Sequence, residues 1–408
     1  MKIDKISEKQ AQILDFVVSD DLYLICDGAV RSGKTVFMSA AFVIWAMEYY
    51  DRTNFAICGK TVQSAERNVL KPLQENESLP YTMSYKVSTK VLTVRCGAKE
   101  NDFYIFGGKD ESSYMLIQGI TLAGVLFDEV ALMPRSFVEQ ALSRAISFEH
   151  PKYWFNCNPE SPNHYFYKEW IEQPKDSTTH LHFLLEDNPI LTPQMIERTK
   201  AMYSGVFYDR YIRGLWVIAE GIIYPMFGKD TIVPTTERKY SRYVISMDYG
   251  IQNPTAMLLW GFCDGVWYQV NEFYHSGRET AQQKTDQEYY EDLEQLAGDR
   301  YIDCLIIDPS ATSFIALVKQ KRRFKVRKAR NDVIDGIQKT ATALQQGKIK
   351  VNDCCTRTIK EYGLYSWDQK ADEDRPIKDN DHAMDATRYF VSTMNITKQS
   401  REYTPLWN

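Results

Sequence analysis

No stretch of this 408-residue chain is apolar for long enough to cross a bilayer, and its first residues are charged and polar. A membrane span and a secretory leader are therefore not expected, and a soluble protein is. Eight cysteines are present, but none stands in a C-x-x-C pair and their spacing follows no regular framework. That argues against a zinc ribbon or a disulfide-stapled secreted domain and leaves reduced thiols in a cytosolic compartment. Positive charge is also short: 49 Lys and Arg stand against 54 Asp and Glu, a net charge of −5. A surface that is basic all over is excluded, so any grip on nucleic-acid phosphates must come from a local patch. Internal repeats and low-complexity tracts are absent too, which removes solenoids from consideration.

What the chain does have is apolar residues enough for two cores. At 408 residues and 44% hydrophobic composition, it exceeds the size at which one core stops growing. Strand-like runs over 55–57, 91–95, 103–107, 125–128 and 154–156 alternate with helical stretches, the α/β pattern of a mainly parallel sheet. Between 220 and 242, Pro225 and Pro234 interrupt the periodicity amid polar, charged residues. The expected division is a first domain over 1–219, a linker over 220–242 and a second domain over 243–408.

The first domain carries a phosphate-loop signature. Leu22-Tyr23-Leu24-Ile25-Cys26 reads as a buried parallel strand, and Thr35 through Met47 as an apolar helix. Between them Gly28-Ala29-Val30-Arg31-Ser32-Gly33-Lys34-Thr35 meets the pattern G-x-x-x-x-G-K-[ST]. Gly28 and Gly33 allow the tight turn, and the helix N-terminal amides would face phosphates. Lys34 would reach the β- and γ-phosphates of ATP, with the Thr35 hydroxyl on Mg²⁺. A structural glycine turn is the plain alternative. A second run, 122–129, ends in Asp128, which would hold Mg²⁺ through water, and Glu129, which would deprotonate the attacking water. Two solvated acids at a strand end are the alternative there. After a third run, Asn156 or Asn158 would sense the γ-phosphate, or they are ordinary turn formers. Gln10 either reads the adenine edge or lies on a solvated helix face.

The second half opens with three strand-like runs, 243–250, 255–260 and 266–270, expected to pair antiparallel. Asp248 lies near the end of the first. After a charged helix, 304–307 forms another strand and delivers Asp308 at its tip. Near the C-terminus a helix opens in which His382 and Asp385 share a face at i,i+3. Each acid alone reads equally as a turn former or a solvated residue. Brought over one sheet, the three carboxylates suit two divalent ions, Mg²⁺ or Mn²⁺, that activate water against a phosphodiester. His382 would ligate a metal, orient water or cap its helix. The basic run 319–330, containing Lys321, Arg322, Arg323, Lys325, Arg327 and Lys328, is expected to form a DNA-tracking strand with Phe324 and Val326 turned inward, or a solvated edge strand.

Taken in order, the loop from Gly28 to Thr35 with Arg31 inside it, Asp128-Glu129, the stretch from Asn156 to His164, Asp248, Asp308 and Asp381-His382-Ala383-Met384-Asp385-Ala386 resemble the large terminase subunit of tailed bacteriophages or related prophages. The resemblance spans nearly the whole chain. It implies a phosphate-loop ATPase domain, acting as a DNA-packaging motor, joined to a ribonuclease-H-like mixed-sheet endonuclease domain. Asp248, Asp308 and Asp385 match the family's metal-binding carboxylates, and His382 the extra histidine of a subfamily. Arg31 resembles the residue that triggers hydrolysis in cis, and the Asn156 to His164 stretch the segment coupling hydrolysis to movement. The implied partners are double-stranded viral DNA, a small terminase subunit, the portal protein of the procapsid and further copies in a ring. No membrane partner is implied, and the setting is the cytoplasm of an infected or lysogenic bacterium rather than the mature virion. A competing reading is a phosphate-loop helicase or recombination ATPase whose second half only binds DNA. A third is a nucleotide-switched structural partner without turnover.

Overall fold

The computed structural model describes residues 5–250, 254–277, 283–369, 371 and 374–397. The chain forms two compact units, Met1–Met202 with Val206–Ile218, and Tyr203–Gly205 with Ala219–Asn408. Among the described residues no helix is long and apolar enough to cross a membrane.

In the first unit, eight strands form one sheet: β1 (Tyr23–Gly28), β2 (Asn54–Gly59), β3 (Thr82–Lys86), β4 (Val91–Cys96), β5 (Lys99–Gly107), β6 (Gly124–Asp128), β7 (Lys152–Asn156) and β8 (Thr178–Phe183). Their order is β3-β4-β5-β2-β6-β7-β1-β8. From β5 to β8 neighbouring strands run parallel, and only β3-β4 and β4-β5 are antiparallel. β6 and β7 are buried along their whole length because helices cover both faces. In β1, Leu24 and Cys26 pack with the helix Lys34–Tyr49, while Ile25 turns to the opposite layer with Phe137 and Trp170. The six sequence-expected strands, β1 among them, are all present. β3 and β8, which lie at the sheet edges, were not anticipated.

The second unit holds a mixed seven-stranded sheet of β9 (Ile232–Val233), β10 (Arg242–Asp248), β11 (Thr255–Cys263), β12 (Val266–His275), β13 (Leu305–Ile307), β14 (Val326–Lys328) and β15 (Ile349–Asn352). The order is β14-β13-β10-β11-β12-β15-β9. β10, β11 and β12 pair antiparallel as expected, and the flanking strands join in parallel. One face packs Ile245, Met247, Met257 and Leu259 against the helices Asp286–Ala297 and Thr312–Lys321. The other presents Trp260, stacked at 4.2 Å on Phe390 of the helix His382–Met394.

Two expectations change. The stretch 220–242, expected as a linker, contributes β9 to the second sheet and a bridge from Ile222 to Ser366, so it folds with that unit. The basic run is not one strand. Phe314, Ile315 and Val318 recur at helical spacing and are buried, so the helix takes Lys319 and Lys321, Arg322 terminates it in the left-handed region, and only 326–328 is strand. Phe324 is buried and Val326 packs beside it, as anticipated.

Candidate functional site

Gly28 closes β1 at φ 117°, and a Cβ there would stand 2.0 Å from the Phe183 carbonyl oxygen. Gly33 starts the helix Lys34–Tyr49 at φ 90°, where a Cβ would meet the Gln10 amide at 2.5 Å. Both positions need the missing side chain. Lys34, 5% exposed, folds back over the loop. Its Nζ donates to the Ala29 carbonyl at 2.6 Å, the Gly28 carbonyl at 3.2 Å, Ser32 Oγ at 3.2 Å and Asn158 Oδ1 at 3.3 Å. Burial lowers its pKa to about 8.

Three separate segments meet beneath that lysine. Thr35 Oγ1 donates to Asp128 Oδ1 at 3.2 Å, and Asn156 Nδ2 reaches both Asp128 Oδ1 (2.7 Å) and Thr35 Oγ1 (2.8 Å). Asp128 is 2% exposed, and burial raises its carboxyl above the ordinary range despite these donors. Glu129 follows at φ 62°. Burial and the neighbouring Asp128 raise its carboxyl, opposed by Arg67 and Lys60. A carboxyl displaced toward neutrality in this way is suited to taking a proton. These groups line a cavity of about 620 Å³ with Arg31, Arg67, Asn68 and Asn188. Asn156 Oδ1 is buried without a hydrogen-bond partner in the structure, an open acceptor in this wall. Gln10 is 1% exposed, not solvated. Its Oε1 accepts from the Ser7 amide and its Nε2 donates to the Ser32 carbonyl at 3.4 Å, so it braces the loop.

Arg67 and Asn68 escaped the sequence reading. They sit in a π-helical turn, Glu66–Leu70, between two short α-helical turns. Asn68 Nδ2 donates to Asp128 Oδ2 at 3.4 Å. The edge strand β8 was missed with its histidines. His180 Nε2 and His182 Nδ1 each lie 2.9 Å from Asp27 Oδ1, while Trp216 Nε1 donates to Asp27 Oδ2 at 2.7 Å. This holds the residue next to Gly28. The alternation of the two histidines was the available signal.

In the second unit, β10 and β13 run parallel with Met247 opposite Ile307. The following residues, Asp248 and Asp308, therefore emerge at adjacent strand ends, whose axes lie about 4.8 Å apart. Asp248 Oδ2 is 2.9 Å from His382 Nδ1. Burial raises the Asp248 carboxyl and the charges of Asp385 and Asp381 add to the rise, while His382 opposes it. Asp308 accepts from the Ser310 amide at 2.8 Å and from Asn331 Nδ2 at 2.9 Å. Asp385 Oδ1 accepts from Arg388 Nη2 at 2.8 Å, and Arg388 Nη1 donates to the Asn331 and Asp332 carbonyls. The three acids thus surround one end of the sheet, each on its own partner. Among the described residues no group of three His, Cys, Asp or Glu side chains is arranged as a ready-made metal site.

The helix bearing His382 and Asp385 is fixed by a relay of carboxylates. Glu272 of β12 accepts from the amides of Arg357 (2.7 Å) and Thr358 (3.0 Å), capping the helix Thr356–Tyr362. That helix carries buried Glu361, which accepts from the Ala383 and Met384 amides at 2.7 and 3.3 Å and from Tyr274 Oη at 2.8 Å. Each anion meets the positive end of the next helix. Lys321, Arg322, Arg323, Lys325, Arg327 and Lys328 are all exposed, with Arg323 paired to Glu294 at 3.1 Å.

The family described as "Terminase large subunit, T4likevirus-type, N-terminal" matches residues 25–228, half of the chain. The structure of the large terminase from a thermophilic bacteriophage is similar with a TM-score of 0.91 and 49% identity, covering 96% of this chain and 100% of that one. The same protein in complex with ATP-gamma-S is similar with a TM-score of 0.89 and 48% identity over the same shares. The large terminase subunit of Escherichia phage T5 is 23% identical over 297 residues, 67% of this chain and 66% of that protein. With half the sequence matched by the family and nearly all of it superimposable on a terminase of similar sequence, this chain belongs to the large terminase subunits of tailed bacteriophages, a family of ATP-hydrolysing DNA-packaging motors with nuclease activity.

Proposed function

We propose that the first unit hydrolyses ATP with Lys34 on the β- and γ-phosphates, Thr35 and Asp128 holding Mg²⁺, and Glu129 as general base. Gly28 and Gly33 let the backbone approach the phosphates, and Arg31 adds positive charge as the γ-phosphate leaves. Asn156 and Asn158, bonded to Thr35, Asp128 and Lys34, register that departure and couple it to movement. Gln10 turns its amide from the Ser32 carbonyl to the adenine edge. The observation that carries this reading is the contact of Thr35, Asp128 and Asn156, three segments that share hydrogen bonds beneath Lys34. The open acceptor on buried Asn156 suits a hydrated cation there.

In the second unit Asp248, Asp308 and Asp385 hold the nuclease metals, with His382 beside them. Hard anionic oxygens on adjacent strand ends and a facing helix fit Mg²⁺ or Mn²⁺. Two such ions, when bound, supply water activation and stabilisation of the leaving 3′-oxygen. The chain's own task is to orient the acids and release them from Arg388, Asn331 and His382. Lys321, Arg322, Arg323, Lys325, Arg327 and Lys328 contact DNA phosphates. In this reading the protein moves double-stranded viral DNA into a procapsid and cuts the concatemer. It works as a ring with the small terminase subunit and the portal protein, in the host cytoplasm and not in the finished virion.

The test is a double dissociation in the full chain. Lys34→Ala should abolish ATP hydrolysis and leave metal-dependent plasmid cleavage, whereas Asp308→Asn should do the reverse. If either variant lost neither activity, the corresponding site assignment would fall.

A further inference from the structure

The π-helical turn Glu66–Leu70 is pinned at its start. Lys90 Nζ lies 3.0 Å from Glu66 Oε1, which also accepts from Tyr85 Oη at 2.5 Å, so the turn is anchored to the antiparallel edge of the sheet. Two residues on, Asn68 uses both ends of its amide. Its Oδ1 accepts from Arg67 Nε at 3.0 Å, and its Nδ2 donates to Asp128 Oδ2 at 3.4 Å. Arg67 is exposed, makes no ion pair among the described residues, and lines the same cavity as Lys34, Glu129 and Asn156. A guanidinium held by a side-chain bridge to Asp128, with its remaining N–H donors unspent, presents a fork for a phosphoryl group. An extra residue in the helical ladder is what lets neighbouring side chains 67 and 68 both face the site.

We infer that Arg67 is a phosphate-binding residue that takes the γ-phosphate of ATP in cis, and that Asn68 ties this contact to Asp128. The inference rests on the phosphate-loop reading above and deepens it. A γ-phosphoryl group is present in a triphosphate and missing from a diphosphate, so only the first can fill the Arg67 fork. Arg67 thus distinguishes the triphosphate from the diphosphate, and Asn68 is a positioning residue for Asp128.

Calorimetric binding of ATP-gamma-S and of ADP to the full-length protein, with Mg²⁺, tests this. Arg67→Ala should weaken ATP-gamma-S binding about 10- to 100-fold, as expected for loss of a charged hydrogen bond, and leave ADP within twofold. Arg67→Lys should recover part of the loss. Asn68→Ala, which frees Arg67 from its bridge, should weaken ATP-gamma-S binding less than Arg67→Ala does, lower kcat and raise the Mg²⁺ concentration needed for half-maximal hydrolysis. Equal loss for both nucleotides, or none, would overturn the role of Arg67, and an unchanged Mg²⁺ requirement would overturn that of Asn68. Lys34→Ala separates the underlying reading: if that variant bound both nucleotides normally, the phosphate loop itself would be misassigned.

Discussion

In the first unit the Asp128 carboxylate accepts from three neutral side chains, Thr35, Asn68 and Asn156, whereas in the second unit each acid keeps a partner of its own. The neutral donors orient one carboxylate without neutralising it, so a cation can join the existing geometry. In the second unit several acids crowd one sheet end, and their mutual repulsion is answered by Arg388 and His382. A cation there must take the place of contacts already made. If both bind cations as proposed, the first site is preassembled and the second is held in reserve by internal counter-charges.

The sharpest break of this comparison is Glu129→Gln. The amide preserves shape but accepts no proton, so hydrolysis should fall by about 10² to 10⁴ while nucleotide binding persists. Loss of binding with a normal residual rate would make Glu129 structural. Next in size is Arg388→Met. It leaves Asp385 buried opposite no cation and should cost about 3 to 5 kcal/mol in denaturant unfolding. Added Mn²⁺ should return part of that loss, because a metal at the acids would replace the missing charge. No metal response would mean that Arg388 serves only the fold. Gly336→Ala, whose Cβ would stand 2.2 Å from Arg388 Cγ, should reproduce a weaker form of the same defect.

The smallest effect is a pH dependence confined to the first site. In the free protein Lys34 titrates at about 8 because it is buried. Phosphates around the ammonium favour its protonated form, so nucleotide binding draws in a proton above that value. Affinity should therefore be fully present below pH 8 and fall by up to tenfold per pH unit above it. Calorimetry in buffers of different ionisation enthalpy would report the uptake near pH 8.5. A binding curve flat from pH 7 to 9.5 would contradict it.

The legible parts of the sequence were those where one residue type is physically required. Gly28 and Gly33 occupy conformations that reject a side chain, and Asp128 and Asp248 end strands whose buried runs announce the core. Asp308 was visible because the three-residue core strand β13 leads straight to it. Arg67 and Asn68 were hidden because a 3.6-residue period cannot foretell a π-helical insertion. Gln10 read either as an adenine contact or as a solvated helix residue, and neither reading foretold the tertiary contact with Ser32 that accompanies its burial. The basic run misled for a related reason. Phe324 and Val326 carry a two-residue period, but the preceding Phe314, Ile315 and Val318 stripe outweighs it and draws the first lysines into a helix. Glu361 and Arg388 gave no sign of their roles, since a buried charge is recognisable only with its partner.

The relay from Glu272 through Glu361 to the helix of Asp385 also bears on how this nuclease can diverge. The sheet, not the long connection between the two helices, dictates where the helix begins. A single charge lost from β12, which carries none of the three acids, would therefore reach Asp385 through two successive helix starts, so divergence is barred at a strand that bears none of the site's own residues.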